Sequence, residues 1–144
     1  MSARHRSREK AVQILYLWDM RDEPVAAAME AFYGSLTSEE GVPADRDAFA
    51  DELVTGVTRE ITKIDPEIER GSENWKLGRM AAVDRNILRL AVYEMAYKSV
   101  APAIVIDEAL LLAKRFSGET SASFINGVLD AVKRNLERPD LTEP

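Results

Sequence analysis

The sequence predicts an all-α fold of about seven helices. Apolar residues recur at three- and four-residue intervals along nearly the whole chain. No run alternates with period two, so nothing asks for a half-buried strand. The periodic stretches are also punctuated by residues that start and stop helices, namely proline, glycine, serine, threonine and aspartate. The 144 residues suit one domain, and the 46% hydrophobic and 31% charged shares suit a chain that folds without staples.

The first helix is expected around Ala11, Ile14, Leu15 and Trp18, following a basic, flexible arm at residues 1–10. The second carries Val25, Ala28, Met29, Phe32, Tyr33 and Leu36, and begins at Asp22 or Glu23 before Pro24. Residues 37–46 have glycine, proline and no period, and read as the longest loop. A third helix follows through Phe49, Leu53, Gly56, Val57, Ile61 and Ile64. It should stop before Asp65-Pro66, which reads as the N-cap and first turn of a short fourth helix. After Gly71, the residues Met80, Val83, Ile87, Leu88, Leu90, Ala91, Val92 and Met95 cover more than one face, so the fifth helix should be central. The sixth helix follows Pro102 with Ile106, Ala109, Leu110 and Ala113, and Gly118 should stop it. Thr120 or Ser121 should cap the seventh, which holds Phe124, Ile125, Val128, Leu129, Val132 and Leu136 and closes at Pro139. Asn126-Gly127 would mark a hairpin in a β protein, but the helical spacing runs through it.

Composition excludes several chemistries. Without cysteine there is no disulfide framework, thiol nucleophile or cysteine-ligated metal site. The single histidine, His5, falls in the polar arm, where a general base would lack a scaffold. No phosphate-binding loop, dinucleotide fingerprint, serine elbow or zinc-protease pattern occurs. Glu39/Glu40 fall in the loop, and Asp107/Glu108 lie near a helix start where the dipole favours acids. No enzyme activity and no cofactor are therefore expected. The start of the chain imitates a secretory signal, but Gln13 breaks its apolar run and Asp19, Arg21, Asp22 and Glu23 follow. With no apolar run of membrane-spanning length either, a cytoplasmic protein is expected.

The net charge of −6 conceals an asymmetry: residues 1–10 carry +3 and the remainder −9. Arg4, Arg6, Arg8 and Lys10 could neutralise phosphates, and a neighbouring aromatic could stack unpaired bases. Tyr16 lies off the apolar stripe and is the better candidate for contact, whereas Trp18 lies on it and reads as core. A solvated tail with no partner remains an alternative. So does a helical interaction module or homodimer without an RNA role.

Four stretches together run from the arm to the last helix: SREKAVQILYLWDM, WKLGRMAAVDRNILRLAVYEM, PAIVIDEALLLAKRF and SFINGVLDAV. In order and spacing they resemble the NusB family of bacterial transcription antitermination factors. The resemblance implies a compact bundle in two small helical subdomains, forming a single RNA-binding domain over residues 1–144. It implies binding of the single-stranded boxA element of ribosomal RNA leader transcripts, together with the ribosomal protein NusE, in the antitermination complex on RNA polymerase. It implies RNA contacts at Arg4, Arg6, Arg8, Lys10, Tyr16 and Phe124, with a core role for Phe124 left open by Val128 on the same stripe. Asp84 matches a position that faces the ribosomal-protein partner in the family. Thr120 departs from a position that is often acidic there. A related domain is fused to a ribosomal RNA methyltransferase, but no Rossmann-like segment follows here, so a free-standing factor is the expectation.

Overall fold

Helix α1 (Ala3–Arg21) starts eight residues ahead of the first residue of its apolar stripe, in a computed structural model that describes residues 2–42, 44–73 and 75–137. Ser2 caps it, its side chain accepting the His5 N–H at 3.1 Å. The stretch expected to be a flexible arm is therefore helical from Ala3 onward. The apolar period failed to reveal this because the buried positions of the first turns are His5, Ser7 and Arg8. No glycine or proline interrupts residues 3–21, and Asp22, in the left-handed region at φ 50°, ends the helix.

Helices α2 (Val25–Ser35) and α3 (Ala48–Arg59) complete the first of two compact units, which divide between Arg59 and Glu60. Both pack on α1. Ala11, Ile14, Leu15, Ala28, Leu53, Val54 and Val57 are fully buried and form its core. Trp18, expected in the core, is only half-buried. Asp47 is the N-cap of α3, its carboxylate accepting the Ala50 N–H at 3.0 Å.

The second unit begins with α4 (Ile61–Gly71), which corrects the expected boundary. The helix break falls at Glu60, and Pro66 lies inside α4 instead of opening a new helix. Ile64 and Ile68, four residues apart, are buried to 1% and 0% exposure. One continuous helix holds both on the same face. Each buried isoleucine contributes roughly 1.5–3 kcal/mol, which together offsets the roughly 3 kcal/mol cost of an interior proline.

A short 3-10 turn (Leu77–Arg79) leads into α5 (Ala82–Tyr97). From Asp84 to Glu94 every residue of α5 except Arg85 is buried, which makes it the central helix of its unit, as its near all-round apolarity requires. Helices α4, α6 (Pro102–Phe116) and α7 (Glu119–Leu136) all pack against it. Its buried Arg89 forms a two-pronged ion pair with Asp65 of α4 (2.9 and 3.0 Å) and donates to Asn86 at 3.0 Å. Gly118, at φ 132°, forms the turn from α6 to α7 and serves as N-cap of α7. Neither Thr120 nor Ser121 caps that helix. The Ser121 hydroxyl is directed to Asp84 instead. Asn126 and Gly127 lie within α7, while Pro139 lies outside the described residues. Among the described residues all regular structure is helical, and no helix is long and apolar enough to cross a membrane.

Candidate nucleic-acid interface

Once residues 3–10 are helical, the four cations of the amino-terminal stretch cannot act as one row. Alternate positions on an α-helix are turned about 200° from one another. Arg4 and Arg8 therefore share one side of α1, and Arg6 and Lys10 share the other. The first pair sits over the Phe49 ring of α3, with guanidinium carbons 4.3 and 5.9 Å from its centroid. Arg8 is buried there, whereas Arg4 keeps an exposed flank. The second pair lines an open concavity of about 400 Å³ with Arg46, Asp45 and Asp47.

Asp47 ties this surface together. Its carboxylate accepts the Ser7 hydroxyl at 3.0 and 2.8 Å and lies 3.3 Å from Lys10 Nζ, besides capping α3. Burial pushes its carboxyl up, but the Ala50 N–H, the Ser7 hydroxyl and the Lys10 ammonium together hold it below its ordinary value. Its backbone N–H donates to the Tyr33 hydroxyl at 3.0 Å, and that hydroxyl donates to Asp51 at 2.8 Å. Tyr16 is 38% exposed and lies on the outward side of α1 with Arg6, Lys10, Gln13 and Met20. That side places two cations, an amide and an aromatic ring within about one third of the helix circumference. His5, by contrast, is buried, its Nε2 3.4 Å from Glu9. It thus has a scaffold, contrary to the expectation of a histidine in a loose polar arm.

The second unit carries its own concavity, of about 290 Å³, lined by Trp75, Arg79, Met80, Ala81, Asp84, Thr120, Ser121 and Phe124. Phe124 is half-buried, and its ring meets Trp75 edge-on at 6.5 Å with 64° between the planes. Asp84, which matches a partner-facing position in the family, is only 7% exposed and lines this concavity. Its two carboxylate oxygens accept the Ser117 and Ser121 hydroxyls, each at 3.0 Å. Those hydroxyls flank the Gly118 turn, and the carboxylate satisfies them at the cost of its own exposure. Thr120 is exposed on the rim.

Sequence reasoning missed Asp47, Trp75 and Arg79. Asp47 could have been found as the capping residue three before Ala50 at the start of a periodic stretch. Trp75 could have been found as a large aromatic outside any helical period, a position where packing gives no reason for its size.

Two helical units, each presenting cationic and aromatic side chains at its surface, have the surface chemistry of a helical binding protein. Comparison with known proteins names its kind. The NusB family model matches residues 5–134, and the chain belongs to that family, whose members are non-enzymatic transcription antitermination factors. A transcription antitermination protein of Solibacter usitatus is 48% identical over 140 residues, covering 97% of this chain and 94% of that one. Its counterpart in Myxococcus xanthus is 44% identical, covering 96% of this chain and 100% of that one. Among solved structures, Thermotoga maritima NusB matches with a TM-score of 0.77 at 31% identity, over 92% of each chain. A chain in a crystal structure of antitermination factors NusB and NusE with double-stranded RNA matches at 0.78 and 29%, over 93% of this chain and 99% of that one.

Proposed function

We propose that this chain is a cytoplasmic antitermination factor that binds the single-stranded boxA element of ribosomal RNA leader transcripts jointly with NusE, within the antitermination complex on RNA polymerase. The observation that carries the NusE and RNA part of this reading is the likeness, over 93% of the chain, to a chain solved together with NusE and double-stranded RNA; the preference for a single strand rests on the cations and the exposed Tyr16 ring of α1. The residues available for it divide by unit. On α1, Arg6 and Lys10 supply phosphate contacts and Tyr16 a stacking face, and Arg4 adds a third cation above Phe49. Arg8 contributes by fixing α1 against α3. Phe124 supplies apolar surface in the second unit. Asp84 serves the NusE-facing surface through what it holds, because its carboxylate pins both sides of the Gly118 turn.

A salt titration with single-stranded boxA RNA, with and without NusE, tests this. Three phosphate contacts at about −0.7 each give a slope of roughly −2 for log affinity against log salt. Replacing Arg6 and Lys10 by glutamine should flatten it by about 1.4. Tyr16→Ala should weaken binding by roughly 1–3 kcal/mol and leave the slope unchanged, since no charge is removed. If the unaltered protein fails to bind this RNA in either condition, the reading is refuted, and a helical interaction module or homodimer takes its place.

A further inference from the structure

Trp75 is 51% exposed, although indole has more apolar surface to hide than almost any other side chain. It is nonetheless held in place. Its backbone N–H donates to the Ser72 carbonyl at 3.2 Å, and its own carbonyl accepts the Ser72 hydroxyl at 2.7 Å. Two residues on, the Leu77 N–H donates to the Glu69 carboxylate at 3.0 Å, and the Leu77 side chain is buried. The indole is thus mounted on a segment pinned to the end of α4 from both sides.

The neighbouring groups restrict what it can receive. The 64° angle between Trp75 and Phe124 means that one flat ligand cannot stack on both rings. It can lie on the exposed indole face while the half-buried Phe124 closes the side of the concavity. The Asp84 carboxylate inside the concavity already serves two hydroxyls and would repel a phosphate. Exposed Arg79 on the lining, with exposed Lys76 three residues before it, attracts one instead. A flat, uncharged ring inside and an anion beside Arg79 is the layout of a nucleotide in a single strand.

We propose that Trp75 stacks one unpaired RNA base in this concavity and that Arg79 takes an adjoining phosphate. This rests on the RNA-binding reading above and assigns it two further contact residues. The chemistry is that of single-strand recognition, where an aromatic face supplies stacking and a cation holds the backbone.

The test uses the full chain and a labelled single-stranded RNA carrying boxA. In a Trp18→Phe background Trp75 is the sole tryptophan, and its emission should be quenched in proportion to bound RNA. Trp75→Ala should weaken RNA binding about 5- to 150-fold with the salt slope unchanged, and Trp75→Phe should restore much of it. With Arg79 as a fourth phosphate contact the slope of the unaltered chain steepens to roughly −2.8, and Arg79→Gln should flatten it by about 0.7. Circular dichroism confirms that each variant is folded. If RNA binds but Trp75 emission stays constant and Trp75→Ala binds as tightly as the unaltered chain, this proposal is overturned while the RNA-binding reading stands. Loss of NusE binding on Trp75→Ala, with binding to RNA alone intact, also overturns it and makes the concavity a protein-docking site. Failure of the unaltered chain to bind RNA overturns both.

Discussion

Gly71→Ala and Gly127→Ala make the same chemical change in two helices and should move stability in opposite directions. Gly71 ends α4, and a Cβ added there would lie 2.8 Å from Val132 Cγ2 and 3.0 Å from the Val128 carbonyl oxygen of α7. Neither neighbour yields readily. Val132 is β-branched and fully buried, and the carbonyl belongs to helix backbone. Overpacking of this kind costs roughly 1–3 kcal/mol. Replacing a helical glycine returns about 0.5–1 kcal/mol, and less at a helix end. Gly71→Ala should therefore destabilise by about 0.5–2 kcal/mol. At Gly127, inside α7, an added Cβ would meet nothing within 4 Å, so Gly127→Ala should stabilise by about 0.5–1 kcal/mol. Urea unfolding followed by circular dichroism measures both. Trp75 emission in the Trp18→Phe background reports the second unit separately. If Gly71→Ala proves as stable as Gly127→Ala, the close approach of α4 to α7 is wrong.

Three further outcomes are expected. Asp47→Ala should cost about 0.5–2 kcal/mol at pH 7 through loss of the α3 cap. Because the folded-state carboxyl lies below its ordinary value of 3.8, that contribution is present above this pH and fades as pH falls through the lowered value, so unfolding curves of the two proteins should converge in acid. Asp65→Ala should destabilise more than Arg89→Met, because it takes the countercharge from a guanidinium side chain only 8% exposed, whereas the converse leaves a carboxylate 25% exposed to water; equal thermal-melt losses would contradict this. Leu88→Ala, at a site of 0% exposure, should cost about 2–5 kcal/mol in denaturant titration, and a loss under about 1 kcal/mol would place Leu88 outside the core.

The all-helical class, the central place of α5, the passage of α7 through Asn126-Gly127 and the turn at Gly118 were legible in the sequence, because each follows from local periodicity or from backbone preference. So were the cations of the first ten residues. Their arrangement was not. Whether Arg4, Arg6, Arg8 and Lys10 form one row or two depends on where α1 starts, and the residues buried in its first turns, His5, Ser7 and Arg8, carry no apolar signal. Pro66 misplaced a boundary for a related reason, since proline is a strong local signal and only the shared burial of Ile64 and Ile68 overrides it. Asp84 reads identically in sequence whether its carboxylate is held or not; tertiary structure decided by bringing Ser117 and Ser121 from more than thirty residues away to both of its oxygens. Local chemistry sets which segments coil and which residues carry charge. Which of those charges remain available to a ligand is set by contacts distant in sequence, because burial and pairing are properties of the packed chain.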